Sequence, residues 1–409
     1  MNKDSPIENR KIKVKTVNIN IAGQLSILLS DWEKENVEEL SIIGQMNGSD
    51  FKIIHDTATN KKLSFIDFSE TNIVSGGVYN NINYSTKNNE FGDLLLNGCK
   101  KLEKIILPKT IVEIGQSAFW YCSNLTSLVI YSKVKRIKPE IWKGCSKLRD
   151  VKIIDNSNFH FENGILYDKN YSKIIAALQK GFYGDLIIKE GINEIQNYAF
   201  DNCKSLTSVI FPSTLTKIGA SPFSPSGLTS IIFNKNIETI DNLAFMFCYQ
   251  LKEVNLVETK IKTLEYGIFS YCNLETIYLP KLLRTMMGEA FSNNPLKNIF
   301  CYSNNPPDFF VFSTDKATFN NVDIKECIVH VLKGKINIYR EAKGWSSFNS
   351  IIDDLQNSLN KFESKDNKSD KKSSVSESKE NKSDKKSDIS ENKKSKINKL
   401  LNLNKFLNL

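Results

Sequence analysis

The feature that most constrains this chain is a repeat of about 23 residues, marked by cysteines at regular intervals. Cys99, Cys122 and Cys145 follow one another at steps of 23 residues. The full set of anchor residues is Cys99, Cys122, Cys145, Cys203, Cys248 and Cys272, with Ser226 and Asn294 in the places where further cysteines would fall. Self-similarity at a period of about 20–50 residues is typical of proteins built by stacking equivalent units. We therefore expect one long stack rather than two or three unrelated globular domains.

The residues around each anchor repeat as well, and most of the repeated positions are apolar. An Ala-Phe pair or its equivalent stands four and three residues before the anchor, as Ala118-Phe119, Ile141-Trp142, Ala199-Phe200, Ala244-Phe245, Ile268-Phe269 and Ala290-Phe291. A leucine follows the anchor after two or three residues, at Leu102, Leu125, Leu148, Leu206, Leu228, Leu251 and Leu274. Apolar residues then recur at steps of three and two, a proline or polar break follows, and a second apolar pair closes the unit.

A single unit of this kind has an apolar face that it cannot bury alone. Stacking equivalent units places Leu on Leu and Phe on Phe, so a continuous core forms along the stack. The run from Leu125 to Ile130 is short, apolar at regular steps and bounded by turn residues, which favours a strand in a parallel sheet. Alternation along that strand then points Leu128 and Ile130 into the core, and Ser127 and Val129 outward.

Residues 99–300 carry about eight copies of the pattern AFxxCxxLxxIxLPxxIxxIG, which resembles BspA-type leucine-rich repeats. Residues 22–58 resemble the N-terminal cap of bacterial members, residues 158–178 a hairpin that many members insert between coils, and residues 327–351 their C-terminal cap. The resemblance implies a leucine-rich-repeat solenoid of the α+β type, strand-rich, with a parallel sheet and caps at both ends. It also implies a binding role, often on the cell surface and in adhesion. The Ser- and Lys-rich composition of residues 361–395 predicts a disordered C-terminal tail.

We divide the chain at the boundaries that the pattern suggests. The predicted segments are a flexible N-terminus at 1–20, the N-terminal cap and first coil at 21–98, the repeats at 99–300 with a hairpin insertion at about 155–185, the C-terminal cap at 301–355, and a disordered Lys/Ser/Glu-rich tail at 356–409 with a short amphipathic end. The insertion explains why Cys145 and Cys203 are 58 residues apart instead of 23.

The net charge of +9 belongs mostly to the tail. Residues 361–409 hold 14 Lys against 8 Asp and Glu, so they contribute +6 and the rest of the chain about +3. The acidic residues are interspersed and no aromatic residue interleaves the Lys-rich stretch up to residue 395, so we expect no specific nucleic-acid binding. The last stretch, INKLLNLNKFLNL at 397–409, is an amphipathic candidate for peripheral docking on a partner or a membrane surface, and a frayed end is the alternative.

The sequence offers little for catalysis. The three histidines, His55, His160 and His330, are far apart, and distant units of a stack do not fold back on one another. Phosphate loops, HExxH and CxxC motifs are absent, so we expect no enzyme, no cofactor and no metal site. The anchor cysteines follow an apolar motif at a fixed register, which predicts buried structural thiols. Disulfides between stacked neighbours and reactive thiols are the alternatives.

One surface is predicted to bind a partner. The outward positions equivalent to Val129 form a row across the coils, and two tyrosines flank it. These predicted binding residues are Ile106, Val129, Tyr131, Lys152, Ile210, Ile232, Asn255, Tyr278, Phe300 and Tyr302. Six of the eight row positions are apolar, which favours a protein-binding patch on a solvent-facing sheet. The alternatives are the ordinary preference of strands for such residues, and cover by the insertion.

Export is the point on which the resemblance and the sequence disagree. No apolar run of 18 residues predicts a transmembrane helix, and the first residues lack the apolar core of a signal peptide. The resemblance implies a non-catalytic, surface or secreted protein that binds a host or cell-surface protein in recognition or adhesion. The missing signal and the eight thiols favour the alternative, an intracellular, cytoplasmic leucine-rich-repeat scaffold for a protein partner.

Overall fold

The computed structural model describes residues 14–79, 83–310 and 317–356, which form a strand-rich solenoid with few helices. The strands are β1 (Val14–Ile19), β2 (Glu39–Met46), β3 (Phe65–Asp67), β4 (Thr71–Ile73), β5 (Gly76–Val78), β6 (Ser85–Thr86), β7 (Glu90–Phe91), β8 (Lys104–Ile106), β9 (Glu113–Ile114), β10 (Ser127–Ile130), β11 (Arg136–Ile137), β12 (Asp150–Ile153), β13 (Phe159–Glu162), β14 (Ile165–Asp168), β15 (Lys173–Ala177), β16 (Gly184–Ile187), β17 (Glu194–Ile195), β18 (Leu206–Ile210), β19 (Lys217–Ile218), β20 (Ser230–Ile232), β21 (Thr239–Ile240), β22 (Glu253–Asn255), β23 (Thr263–Leu264), β24 (Thr276–Leu279), β25 (Thr285–Met287), β26 (Asn298–Cys301), β27 (Asp308–Phe310), β28 (Ile328–Leu332) and β29 (Ser350–Leu355). The helices are α1 (Leu25–Leu28), α2 (Asp31–Asn36), α3 (Gly48–Asn60), α4 (Ile336–Glu341) and a 3₁₀ helix at Trp345–Ser347.

Most coils contribute one strand to each of two largely parallel sheets. The front sheet runs in three hydrogen-bonded segments, which are β1-β2-β3-β8-β10-β12, β16-β18-β20 and β22-β24-β26-β28-β29. The back sheet has three segments as well, β7-β9-β11, β13-β14-β15-β17-β19-β21 and β23-β25-β27. At about 4.8 Å per strand, the front sheet is roughly 60 Å long. The predicted fold class, a strand-rich leucine-rich-repeat solenoid, is confirmed.

The front strands follow the predicted alternation. Leu128 and Ile130 are fully buried, whereas Ser127 and Val129 remain partly exposed. Leu128 is in register with Ile105 on the strand before it and with Val151 on the strand after it, two residues that are also buried. Each such apolar side chain stabilises the fold by about 1.5–3 kcal/mol through burial, which is why the repeat keeps these positions apolar.

The turn before each anchor carries the phenylalanines, which stack along the axis of the solenoid. From Phe200 to Phe319, six rings follow one another with centroids 5.1, 5.4, 5.4, 6.1 and 5.5 Å apart. Aromatic pairs of this kind contribute about 0.5–1.5 kcal/mol each beyond their burial. In the N-terminal coils the run is shorter, since Phe91 and Phe119 stack at 5.2 Å and the next coil has Trp142 instead.

These turns bend sharply because two of their residues adopt a left-handed backbone. Positive φ angles occur five residues and one residue before the anchor, at Leu94 and Gly98, Ser117 and Tyr121, Glu140 and Gly144, Tyr198 and Asn202, Leu243 and Phe247, Gly267 and Tyr271, and Glu289 and Asn293. Most of these residues are not glycine, so the conformation carries strain that the stack must offset. Hydrogen bonds between coils do so: Phe245 N–H, for example, donates to the carbonyl oxygen of Ile268 at 3.0 Å.

The anchor side chain ties its coil to the preceding one. Cys145 Sγ donates to the carbonyl oxygen of Phe119 at 3.0 Å, and Asn294 Nδ2 makes the equivalent bond to the carbonyl oxygen of Phe269 at 2.8 Å. The same link to the preceding coil is made by Cys122, Cys203, Cys248 and Cys272. Several of these carbonyls also accept a backbone N–H, as that of Phe119 does from Cys122 at 3.1 Å, so the side-chain bond contributes about 0.5–1.5 kcal/mol. The repeat therefore requires a small side chain that can donate a hydrogen bond, and Asn294 meets the same need.

All eight cysteines are buried and none forms a disulfide, which confirms the predicted structural thiols. Burial raises the pKa of Cys203 to about 12 and holds the pKa of Cys99 well above its ordinary value. A thiol that keeps its proton is a poor nucleophile, so these two side chains serve the packing of the coils rather than chemistry.

The inserted hairpin separates two hydrophobic cores, and we call β13–β15 the hairpin wall. β14 pairs antiparallel with β13 and β15, and β15 pairs in parallel with β17 of the back sheet. Ile165, Tyr167 and Ile174 belong to the core of the C-terminal coils, while Leu166 and Ile175 belong to the core of the N-terminal coils. Strands buried on both faces have nearly continuous apolar sequences, and KIIAAL at 173–178 is one.

The N-terminal end of the stack is closed by helices. Asn47 and Asp50 form a capping box that starts α3. The Asn47 side chain accepts a hydrogen bond from the backbone N–H of Asp50, and the Asp50 side chain accepts one from the backbone N–H of Asn47. Phe51, Ile54 and Ala58 then lie on one face of α3 and are fully buried in the N-terminal core. The 3–4 residue spacing of these three side chains gives the helix one apolar face, which shields the first coils from water.

The C-terminal end is closed by aromatic side chains on α4 and the 3₁₀ helix. Tyr339 and Trp345 are fully buried, and their rings meet edge to face at 5.3 Å. Trp345 Nε1 donates to the carbonyl oxygen of Pro307 at 2.9 Å, so its polar atom is satisfied inside the core. Phe348 packs against Trp345 and completes the aromatic cluster that closes the C-terminal end of the core.

One predicted segment is corrected by the structure. Residues 14–19, which we expected within a flexible N-terminus at 1–20, form β1 and pair in parallel with β2. Val17 and Ile19 are buried, so the short alternation in VKTVNI was enough to extend the sheet. Residues 1–13 lie outside the described residues. So does the predicted tail after residue 356, including its amphipathic end at 397–409, and the other segment boundaries stay predictions.

Candidate functional site

The predicted binding residues all lie on, or directly after, front strands. Nine of the ten side chains are half-buried, which is the state expected of outward-facing strand residues, and Lys152 is exposed. Tyr131 directly follows β10, and Tyr302 directly follows β26. The structure therefore gives the row the outward orientation that alternation predicts, whereas its role in binding stays a prediction.

The row is not continuous, because the front sheet is divided. Ile106, Val129 and Lys152 are aligned across β8, β10 and β12. Ile210 and Ile232 are aligned across β18 and β20. Asn255, Tyr278 and Phe300 are aligned across β22, β24 and β26. The first break lies between β12 and β16, where the hairpin wall enters the chain, so the ten residues belong to three groups rather than to one stripe.

Further residues continue the row, and the sequence pattern did not identify them; on the N-terminal side, Asp67 on β3 is in register with Ile106. Ile187 on β16 is in register with Ile210, His330 on β28 with Phe300, and Ile352 on β29 with His330. These strands lack the anchor cysteine and its spacing, so the repeat pattern stops before it reaches them. The apolar alternation in CIVHVL at 327–332 was the signal available for β28.

The C-terminal group contains a stack of rings, which we call the aromatic ladder: Tyr278, Phe300 and His330. The centroids of Tyr278 and Phe300 are 4.5 Å apart, those of Phe300 and His330 are 4.2 Å apart, and both pairs are within 12° of parallel. The strand spacing sets this distance, since the three residues are register partners on neighbouring strands. The stacked faces of the rings cover one another, so the rings have little conformational freedom. Packing against this apolar surface would therefore cost little side-chain entropy.

His330 is held at both ring nitrogens. Its Nδ1 lies 2.9 Å from a carboxylate oxygen of Asp354, and its Nε2 lies 3.2 Å from Oδ1 of Asn298. Asn298 and Asp354 lie on the strands either side of β28, so the ring cannot turn without losing two contacts. These contacts fix the end of the aromatic ladder.

The tyrosines of this group have carboxylates as neighbours. Burial, followed by the charge of Glu253 and the neighbouring Tyr302, raises the pKa of Tyr278 to about 12. Burial also raises the pKa of Tyr302, with the charges of Asp354 and Glu258 adding to the effect. Both phenols therefore keep their protons at neutral pH and can donate hydrogen bonds to a partner.

The rest of the described molecule does not assemble a catalytic constellation. His55 Nε2 lies 2.7 Å from the carbonyl oxygen of Asn97, and His160 Nε2 lies 3.1 Å from that of Lys169, both far from His330. Within residues 14–79, 83–310 and 317–356, no group of three or more His, Cys, Asp or Glu side chains is placed to hold a metal ion. No helix of these ranges has the length and apolar character needed to cross a bilayer.

One half-buried carboxylate outside the row has an unusual environment. Burial raises the pKa of Asp201 to about 6, while Lys143 opposes the shift and Glu140 adds to it. The cavity beside these residues has a volume of about 10 Å³, which is room for roughly one water molecule. A substrate does not fit there, so we do not assign a site to Asp201.

Comparison with protein families gives one match. Residues 70–180 and 177–297 match the family model described as BspA type Leucine rich repeat region, in six copies, which spans more than half of the chain. A search of curated proteins finds no match.

Two solved structures share the fold at low sequence identity. The crystal structure of the pneumococcal vaccine antigen PcpA matches with a TM-score of 0.52 and 17% identity, over 80% of this chain and 82% of that chain. A leucine-rich repeat protein from Eubacterium ventriosum matches with a TM-score of 0.50 and 18% identity, over 71% of this chain and 83% of that chain. At such identities the likeness concerns the fold alone.

Proposed function

Because the chain belongs to the BspA-type leucine-rich repeat family, we propose that it is a non-catalytic recognition protein that binds a protein partner through its front sheet. The observation that carries this proposal is the outward row of apolar and aromatic side chains on β16 to β29. Ile187, Ile210, Ile232, Tyr278 and Phe300 are all large and all partly exposed. Rigid aromatic and aliphatic residues on a flat sheet are the kind of surface at which binding energy concentrates.

The cell surface, or the medium outside the cell, is the location that we propose. Membership of the BspA-type family supports this location, and PcpA, which has a similar fold, is described as a vaccine antigen. The partner would then be a host or cell-surface protein, and binding would serve recognition or adhesion. We also propose that no cofactor takes part.

An intracellular scaffold is the second candidate. The eight buried thiols favour it, because none has formed a disulfide and a reducing compartment keeps such thiols intact. The same front face would serve a protein partner inside the cell, so the two candidates differ in location and not in binding surface.

The binding role is tested by removing the row without disturbing the core. We would compare the full-length protein with a triple variant, Ile210→Ser, Ile232→Ser and Tyr278→Ser, in affinity capture and crosslinking against host and bacterial surface extracts. A matched control carries Thr239→Ala, Thr263→Ala and Thr285→Ala, which alter outward positions of the back sheet. We expect the triple front variant to lose the captured partner at an unchanged melting temperature, and the back variant to keep it.

Two outcomes would count against this proposal. Equal capture by both variants would mean that the front row is not the binding surface. Loss of capture by the back-sheet control alone would assign binding to the opposite face.

Location is tested by protease treatment of intact cells. Digestion of the solenoid, with a cytosolic protein left whole, would support the surface proposal. Protection until lysis would replace it with the intracellular scaffold.

A further inference from the structure

The turns that carry the anchor residues change in charge along the solenoid. Three of the first four, at 94–102, 140–148 and 198–206, contain lysine, and two of these three also contain an acidic residue. The next five turns contain no Asp, Glu, Lys, Arg or His, at 220–229, 243–251, 266–274, 290–296 and 317–322. Because 25% of the residues of the chain are charged, five successive turns without a charge depart clearly from its composition. We call these five turns the neutral edge.

Charged residues that flank the neutral edge are engaged within the protein. On the front side, Lys252 Nζ and Lys297 Nζ lie 3.9 and 2.7 Å from the carboxylate of Glu275. On the back side, burial, followed by a hydrogen bond to Glu289, raises the pKa of Tyr266 to about 12. A ligand that lies along the turns themselves therefore meets uncharged groups.

Three rings of the neutral edge form one cluster at the surface, which we call the aromatic platform: Phe247, Tyr249 and Tyr271. The ring centroid of Phe247 lies 5.9 Å from that of Tyr249 and 5.2 Å from that of Tyr271. Tyr249 is 57% exposed and Tyr271 is 41% exposed. The platform therefore offers ring surface from two neighbouring coils to a ligand in solution.

The backbone makes two of these rings costly to the fold. Phe247 and Tyr271 have positive φ angles of 63° and 53°, in the position one residue before the anchor. Other coils fill this position with the residue types that adopt a left-handed backbone most readily, at Gly98, Gly144, Asn202 and Asn293. Since the stack accepts glycine or asparagine here, exposed aromatic side chains in this strained position point to binding rather than to folding.

Amide side chains continue the row of the platform towards the C-terminal end. The N–H groups of Phe247, Tyr271 and Asn293 each donate to the next coil, at the carbonyl oxygens of Ser270, Ser292 and Asn320. Phe247, Tyr271, Asn293 and Asn321 are thus equivalent positions of four successive coils, which cover roughly 14 Å. Asn321 Nδ2 donates to Oδ1 of Asn293 at 2.9 Å, and a single bond does not use up the donors and acceptors of two amides.

We propose that the neutral edge binds an internal stretch of a neutral polysaccharide. Sugar rings lie on the aromatic platform, because the C–H face of a pyranose is apolar and packs on the face of an aromatic ring. Sugar hydroxyls pair with Asn293 and Asn321, since an amide both donates and accepts hydrogen bonds. An uncharged ligand matches the uncharged turns, and a row that crosses four coils fits a chain rather than a chain end.

The test measures binding of the full-length protein to soluble polysaccharides by biolayer interferometry. The neutral probes are a glucan, a mannan, a galactan and a xylan, each with its disaccharide, and the anionic comparators are alginate and heparin. We expect a neutral polymer to bind, and its disaccharide to bind about tenfold more weakly because it covers only part of the row. The affinity should be the same at low and high salt, because no ion pair forms.

Variants assign the binding to the aromatic platform. The double variant Tyr249→Ser and Tyr271→Asn should weaken the neutral polymer by about tenfold, because both exposed rings are removed. The matched control is Tyr121→Asn, since Tyr121 is also exposed and also has a positive φ, but its turn lies between two turns that contain lysine. Tyr271→Asn and Tyr121→Asn should each keep or raise the melting temperature, because asparagine adopts a left-handed backbone more readily than tyrosine.

Several results would overturn the proposal. Failure of all four neutral polymers to bind is the first, and binding of alginate or heparin alone, lost at high salt, is the second. Equal weakening by Tyr121→Asn and by the double variant would remove the assignment to the platform. A melting temperature lowered by Tyr271→Asn would mean that the ring serves the fold. A dimer in sedimentation experiments that the double variant abolishes would assign the platform to a second copy of the chain.

This site is separate from the front row, so the two proposals fail independently. Partner capture that depends on Ile210, Ile232 and Tyr278 would stand even if no polysaccharide binds. Polysaccharide binding that depends on Tyr249 and Tyr271 would stand even if the front row captures no protein.

Discussion

The N-terminal and C-terminal coils are built from the same repeat, yet only their interiors are alike. Leu128 in the first part and Ile277 in the second occupy the same core position, and both are fully buried. On the front face, the equivalent outward residues are Val129, a small aliphatic side chain in register with Lys152, and Tyr278, an aromatic one that stacks on Phe300. The repeat therefore conserves what the stack needs for stability and leaves the outward positions free for recognition.

The stacked phenylalanines offer the strongest way to compare the two regions. Phe119→Ala and Phe200→Ala should each destabilise the protein by about 3–5 kcal/mol, because each leaves a cavity in a core that is fully packed. Phe200 should be the costlier loss, since it contacts Phe182 and Phe223, whereas Phe119 has one ring neighbour, Phe91, among the aromatic residues that the structure describes. Denaturant unfolding measures both. A change below about 1 kcal/mol at either position would contradict the core assignment.

The hairpin wall allows each core to be weakened separately. Leu166→Ala removes contacts with the N-terminal core, and Ile174→Ala removes contacts with the C-terminal core. Each substitution should lower the free energy of unfolding by about 2–4 kcal/mol. Hydrogen exchange should then show faster opening of β10 in the first variant and of β18 in the second. Equal loss of protection in both regions for both variants would mean that the wall does not separate them.

The anchor bonds should matter less than the phenylalanines, and about equally in both regions. Cys145→Ala and Asn294→Ala each remove a buried hydrogen bond between coils, and we expect a loss of about 0.5–1.5 kcal/mol in the free energy of unfolding. Asn294→Cys restores a donor and should lose less than Asn294→Ala. If the two substitutions at residue 294 were equally harmful, the hydrogen bond would not be the reason for the anchor.

The smallest effect concerns the C-terminal face alone and appears at high pH. The folded-state pKa of Tyr278 is about 12, against an ordinary value of 10.0. An acid that keeps its proton in the folded state stabilises the fold below about pH 10, and this contribution is lost as the pH rises towards 12. Tyr278→Phe should therefore reduce the loss of stability between pH 10 and pH 12. The difference in phenolate absorbance between the unmodified protein and Tyr278→Phe during titration gives the pKa of Tyr278, since the chain has 14 tyrosines, and an ordinary value would remove the effect.

The sequence predicted the parts of the structure that depend on the repeat. Leu125, Leu128 and Ile130 are buried as their spacing indicates, and the anchor cysteines are buried thiols because they stand at a fixed distance from those leucines. The prediction of outward row residues did not extend beyond the last repeat. His330 and Ile352 continue the row from strands without an anchor, and their register became visible only in the pairing of β26, β28 and β29.

The hairpin shows a second limit of the sequence. KIIAAL was recognised as part of an insertion, but an apolar run has no alternation from which to tell a strand with one buried face from a strand with two. Its position between two cores depends on contacts with residues such as Ile192 and Leu148, which are distant in the chain. Only the three-dimensional structure divides the row of ten predicted residues at this point.

The wall also determines how the molecule should respond to force. Hydrogen bonds of the front sheet run along the solenoid axis, so a pull on the two ends loads successive coils in series. Between β12 and β16 the front strands are in different hydrogen-bonded segments, and the back sheet is divided at the same place, between β11 and β13, so the load passes through side-chain packing on the hairpin wall. We expect the first rupture at this seam, with the C-terminal coils and the aromatic ladder still intact on their own side of the break.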